Sequence, residues 1–196
     1  MSDIFDCQKY TIRKKFFKMF GASFHIMDDQ DNVVMFASMK AFKLKEDIRL
    51  YTGEDKLSEL LTIQARQVLD ISATYDVLDA RTNDRVGALR RRGFKSILKD
   101  EWLILDTNDN EIGMIKEDSL GLALLRRLMN QVFMNLIPQK YHAEIGQNSV
   151  CAYQQNFNPF IQKIMVDFSD DFRGQLDRRL GLAAGVLLSA IEGKQH

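Results

Sequence analysis

The stretch that decides the fold is "LGLAAGVLLSAIEG", residues 180–193, near the C-terminal end of the chain. From Leu180 to Ile191 it carries no charge, and as an α-helix this part would be about 18 Å long. A membrane-spanning helix needs about 20 apolar residues to cross about 30 Å of hydrocarbon. Large apolar side chains would lie on every side of this helix, which is typical of burial in a protein core. We therefore predict a core helix over about 176–191, with a tail anchor or re-entrant segment as the alternative.

The composition is that of a soluble globular protein, and we expect a single domain over residues 1–196. Hydrophobic residues make up 45% of the chain and charged residues 28%, which is enough for a sizeable core. The 27 Lys and Arg balance the 27 Asp and Glu, so no global field attracts nucleic acid. Cys7 and Cys151 are far apart, and the N-terminus lacks an apolar signal segment. We expect a cytoplasmic protein with reduced thiols and no nucleic-acid partner.

Three segments repeat one pattern of alternating apolar residues interrupted by a polar turn. Each opens with an aromatic residue, reaches an Asp, continues through an Asn and then returns to alternation, which predicts β-hairpins. The segments are "FHIMDDQDNVVMFASMK" (24–40), "YDVLDARTNDRVGALRR" (75–91) and "WLILDTNDNEIGMIKED" (102–118).

Weaker copies and two further strands bring the predicted total to about twelve strands. The weaker copies lie at 48–63 and 141–153, and the strands are "KYTIRKKFF" (9–17) and "IQKIMVDF" (161–168). So many strands favour a closed antiparallel barrel, which leaves no sheet edge exposed. We predict a mainly β (α+β) fold in which this barrel surrounds the hydrophobic C-terminal helix.

A second helical pattern occupies "DSLGLALLRRLMNQVFMNLIPQK", residues 118–140. Ser119 can cap the helix, leucines recur at four-residue spacing, and Pro138 marks its exit. We predict one extra helix at about 119–137. It would pack on the barrel or form a dimer interface, or alternatively lie on a membrane surface.

The residues resemble those of the LURP-one-related proteins, which share one structural superfamily with phospholipid scramblases and tubby C-terminal domains. The resemblance extends over about residues 9–192. It is carried by the basic opening strand "YTIRKK" (10–15), the step "KAFKL" (40–44), the Asp-turn hairpins and the C-terminal helix. It implies a tubby C-terminal-like barrel of about twelve strands around a central helix. The apolar insertion at 119–137 departs from the usual connection.

The resemblance also implies membrane-related functions, although a shared fold does not transfer function. Tubby-like domains bind phosphoinositides through Lys and Arg on the barrel surface, and scramblases handle membrane lipids. We expect a non-enzymatic binding module, cytoplasmic or peripherally membrane-associated, that recognises an anionic phospholipid. The alternatives are a protein-interaction or structural domain that uses the 119–137 helix, including an oligomer, and a scramblase-like lipid-handling protein.

Two basic clusters are the candidate sites for a lipid headgroup. Each has nearby aromatic residues, a combination that suits an anionic surface. The same pattern is also typical of a solvated strand face, so both interpretations stay open. The clusters are Arg13, Lys14, Lys15 and Lys18 in "IRKKFFKMF" (12–20), and Arg90, Arg91, Arg92, Lys95 and Lys99 in "LRRRGFKSILK" (89–99).

No motif predicts catalysis, a metal site or a cofactor. The segment "DTNDNEIGMIKE" (106–117) places oxygen ligands at several EF-hand positions, but Glu111 stands where the loop needs a glycine. We interpret it as a hairpin turn. The chain has three histidines and no nucleophile, zinc or phosphate-binding motif. Asp170 or Asp171 is expected at the entrance of the C-terminal helix, where the dipole favours negative charge.

Overall fold

Twelve antiparallel strands form one closed barrel. The computed structural model describes residues 4–15, 21–40, 47–67, 72–92, 101–118, 139–156 and 162–191. The strands are β1 (Lys9–Lys15), β2 (Ala22–Met27), β3 (Val33–Met39), β4 (Asp47–Tyr51), β5 (Glu59–Ala65), β6 (Thr74–Asp79), β7 (Arg85–Arg91), β8 (Glu101–Leu105), β9 (Glu111–Glu117), β10 (Lys140–Ile145), β11 (Asn148–Asn156) and β12 (Lys163–Asp167). Each strand pairs with its neighbours in the chain, and β1 pairs with β12 to close the ring. The predicted barrel is confirmed.

The repeated hairpin turns are built by the same side-chain chemistry. The Asp28 carboxylate accepts hydrogen bonds from the backbone N–H groups of Gln30 and Asn32, at 2.9 and 2.8 Å. Asp106 does the same for Asn108 and Asn110, at 2.8 and 2.9 Å. Each turn therefore satisfies its own backbone donors, which is why Asp recurs at this position. The 106–110 segment is the predicted hairpin turn between β8 and β9.

The one helix of the described residues, α1 (Arg178–Ile191), runs through the barrel interior. It contacts β1 and β12 on one side and β7 on the other. In a ring of twelve strands, β1 and β7 lie diametrically opposite each other. Ten of the 14 helix residues are buried, so the apolar stretch forms the core, as the sequence predicts. The predicted helix at 119–137 lies outside the described residues.

The entrance of α1 differs from the sequence-based expectation. Asp177 caps the helix by accepting the Arg179 N–H at 2.9 Å, whereas Asp171 accepts the N–H groups of Gln175 and Leu176 in the preceding loop. Two arginines in the first turn oppose the helix dipole. Arg179 offsets this by donating to the buried carboxylate of Asp79, at 2.8 Å.

Two glycines, four residues apart, let α1 approach the barrel wall closely. A Cβ atom on Gly185 would lie 2.7 Å from Val166 Cγ2 and 2.9 Å from Ile12 Cδ1. Both neighbours are fully buried and belong to paired strands. A Cβ atom on Gly181 would meet the ring of Phe168. These two glycines are therefore required by the narrow gap between the helix and the barrel wall.

We predict that Gly185→Ala destabilises the protein although alanine favours helices. The helical preference contributes about 1 kcal/mol, and overpacking a closed core costs about 1–3 kcal/mol. Urea denaturation should show a net loss of up to about 2 kcal/mol in the free energy of unfolding. The control is Gly53→Ala, whose Cβ would make only ordinary contact, 3.4 Å from Asp55 Oδ1. Equal stability of both variants would contradict the tight fit.

Candidate anion-binding face

The two predicted basic clusters lie on opposite sides of the barrel. Arg13, Lys14 and Lys15 belong to β1, and Arg90 and Arg91 belong to β7, six strands away in the ring. The clusters therefore cannot bind one headgroup together. Lys18, Lys95 and Lys99 lie outside the described residues.

The cations of the β7 cluster are already engaged. Arg90 pairs with Glu111 at 2.7 Å and Arg92 pairs with Glu101 at 3.2 Å. Arg91 is the register partner of Trp102, a core residue, and shares its inward face. Within the described residues, the outward cations of this cluster are thus paired with carboxylates.

The β1 cluster divides between the two faces of its strand. Lys14 is the register partner of Phe24, which is fully buried, so it lies on the inward face and is half-buried. Lys15 lies on the outward face and donates to Glu54 at 2.9 and 3.1 Å. Arg13 also lies on the outward face and is exposed. Of these three, Arg13 is the cation best placed to meet a ligand from solution.

Arg13 faces a second cation across the seam where the barrel closes. Its register partner on β12 is Lys163, which the sequence analysis did not single out. Within the part of the chain that the structure describes, neither side chain makes an ion pair or hydrogen bond. Farther along the same two strands, Lys9 faces Asp167 and pairs with it at 2.9 Å. The like-charged pair is thus a departure from the usual cross-strand pattern, in which facing like charges are destabilising.

His25 and Glu54 extend this face across β2. His25 is the register partner of Arg13 on the other side of β1, and its Nε2 atom is hydrogen-bonded to Glu54. Hydrogen bonds from Lys15 and then His25 hold the pKa of Glu54 below its ordinary value. We call Arg13, Lys15, His25 and Lys163 the β1 basic face. Its donors suit a phosphate or carboxylate group.

In a second cluster, around His142 at β9 and β10, the polar side chains are bonded to one another. The two ring nitrogens of His142 are hydrogen-bonded to Asp118 and Glu144, and Glu144 also pairs with Lys116 at 2.8 Å. The ring thus has no nitrogen left for a metal ion or a substrate. Within the described residues, no three His, Cys, Asp or Glu side chains lie together in a way that could hold a metal ion.

The cysteines show no sign of an activated nucleophile among the described residues. Both are free thiols. Cys151 lies in the barrel core, where burial raises the pKa of its thiol to about 12. A thiol in such an environment is inert because the reactive species is the thiolate.

Comparisons with protein-family models, curated proteins and solved structures find no match for this chain. The resemblance to LURP-one-related proteins is therefore an inference from the sequence alone. Among the described residues, no helix is both long and apolar enough to cross a membrane.

The parts of the face that the sequence analysis missed depend on contacts between distant residues. Lys163 reaches Arg13 only because the last strand pairs with the first. Glu54 is 39 residues from Lys15 and 29 from His25. Local patterns predict the strands, but the register that closes the ring is not encoded in either strand alone. The sequence did offer one signal for Lys163: it is a cation at an outward position of the predicted last strand.

We predict that Arg13→Gln stabilises the unliganded protein, because it removes a like-charge repulsion of about 0.2–1 kcal/mol. The gain in melting temperature should shrink at high salt, which screens exposed charges. Lys9→Gln is the control on the same strand, and it should give no gain because Lys9 faces Asp167. A loss of stability in Arg13→Gln would show that the arginine has a structural role instead.

Proposed function

We propose that this protein is a non-enzymatic binding module that recognises an anionic phospholipid headgroup through the β1 basic face. The observation that carries the proposal is the facing pair Arg13 and Lys163, whose side chains lack a partner in the described residues. Two cations that repel each other in the free protein are stabilised when one anion lies between them. An exposed phosphate headgroup is such an anion.

The surroundings of the pair favour a membrane surface over a free small anion. Arg13 is exposed, and Met165, the next outward-facing residue after Lys163 on β12, exposes 38% of its surface. An apolar side chain next to cations suits the boundary between headgroups and acyl chains. We propose a cytoplasmic protein that associates peripherally with a membrane. The resemblance to tubby-like and LURP-one-related proteins makes a phosphoinositide the expected headgroup.

The β7 cluster gives weaker support for the same function. Arg90 and Arg92 are paired with carboxylates, so a ligand there would first have to displace Glu111 or Glu101. Displacement costs the energy of a charge-assisted hydrogen bond. Among the described residues, Arg90 and Arg92 give the β7 side two outward cations, the same number as the Arg13 and Lys163 pair, which allows a charge-matched comparison.

We predict that the double variant Arg13→Gln/Lys163→Gln loses binding to vesicles of phosphatidylcholine containing phosphatidylserine or a phosphoinositide at equal surface charge. Each cation near an anionic membrane contributes about 1 kcal/mol, so the loss should be about 30-fold. Co-sedimentation at low and physiological salt measures it. The preference between the two lipids tells whether charge alone or the headgroup is recognised.

The matched control is Arg90→Gln/Arg92→Gln, which removes the same charge from the opposite side. It should bind almost as well as the wild type. An equal loss of vesicle binding in both double variants would show that net charge alone, and not the β1 basic face, determines the interaction. Absence of binding at low salt would reject the lipid proposal and leave the protein-interaction alternative. Transfer of lipid between leaflets would be needed to support the scramblase-like alternative.

A further inference from the structure

Glu54 lies on the β4–β5 loop, residues 52–58, which folds back over the outward face of β1 and β2. Both of its carboxylate oxygens are engaged there. One accepts from His25 and from Lys15 at 3.1 Å, and the other accepts from Lys15 at 2.9 Å. The carboxylate is half exposed to solvent. It therefore occupies, from the solvent side, two of the four donors of the β1 basic face.

The loop does not depend on Glu54 to hold its position. Thr52 N–H donates to Ser58 O at 3.0 Å, and Lys56 N–H donates to Gly53 O at 3.1 Å. The Lys56 side chain anchors the loop to β3, since its Nζ atom donates to Ser38 Oγ at 3.1 Å and lies over the Phe36 ring, 5.6 Å from its centroid. The Glu54 carboxylate is thus free to leave its two donors while the loop stays folded.

We propose that Lys15 and His25 form a second anion subsite of the β1 basic face, which Glu54 occupies as an internal counter-anion until a phosphate group of the ligand displaces it. This inference rests on the proposed function, because it concerns the same face and the same class of ligand. Arg13 lies two residues before Lys15 on the outward face of β1 and is the register partner of both His25 and Lys163. A phosphate that takes the place of Glu54 would therefore bind Lys15 and His25 next to Arg13, on the same outward face as Lys163.

The displacement makes binding selective for strongly charged groups. A carboxylate ligand would exchange one carboxylate for another and gain little. A monoester phosphate carries about −1.5 to −2 charges at neutral pH and three acceptor oxygens. It therefore gains binding free energy when it replaces Glu54, whereas a carboxylate ligand does not. Glu54 also offsets one of the positive charges of the face when no ligand is present, which limits non-specific association with anionic surfaces.

The test compares Glu54→Gln with Asp55→Asn. Both changes remove one negative charge from the same loop, but Asp55 accepts only the Leu57 N–H, at 3.2 Å, which an asparagine can also bond. Removing a charge from the site should tighten binding to phosphoinositide vesicles about fivefold. We expect Glu54→Gln to bind these vesicles more tightly than Asp55→Asn by about this factor. The melting temperatures of both variants should stay near that of the wild type.

A second readout uses inorganic phosphate and the NMR signals of the His25 ring, assigned with His25→Gln. Phosphate should shift these signals at lower concentration in Glu54→Gln than in the wild type or Asp55→Asn. Equal vesicle binding of the two variants, with wild-type binding still dependent on Arg13 and Lys163, would overturn the subsite and leave the proposed function standing. If no protein binds vesicles, the proposed function fails, and the phosphate titration alone decides whether the subsite exists.

Discussion

The burial of α1 inside the barrel is the interaction on which the rest of the structure depends. Its five buried large side chains, Leu180, Leu182, Val186, Leu187 and Leu188, together contribute about 8–15 kcal/mol when their burial is counted from a fully extended chain. That equals the whole net stability of a typical domain, about 5–15 kcal/mol. A ring of twelve strands without this filling would enclose an empty space, so the helix and the barrel require each other. The glycines at 181 and 185 set how closely the two can approach.

Much of this architecture can be predicted from the sequence because local patterns carry it. The uncharged run at 180–191 is too short for a membrane and apolar all round, and Asp28 and Asp106 mark hairpin turns that satisfy their own backbone groups. The exact start of the helix was less predictable. Asp171 and Asp177 are both acidic residues before an apolar run, and only the folded loop shows that Asp171 stabilises the loop while Asp177 caps the helix.

Only part of the candidate site could be predicted from the sequence, because strand pairing decides which cations face outward without a partner. A run of lysines and arginines alternates between the two faces of a strand, so Arg13 and Lys14 point in opposite directions. Whether an outward cation is neutralised depends on its cross-strand partner, and for Arg13 that partner comes from the far end of the chain. The closure of the barrel around α1 thus also creates the like-charged pair. Stability and the proposed binding function share one structural origin at the β1–β12 seam.

Native-state hydrogen exchange of the α1 backbone amides tests most directly whether the helix is the core of the barrel. Amides that open only when the whole protein unfolds exchange with the free energy of global unfolding. The account predicts that Leu182–Leu188 exchange at this slowest rate, together with the paired amides of β1 and β7. Exchange of these helix amides at clearly lower free energy than the strand amides would contradict it, because the helix could then leave a barrel that stays folded.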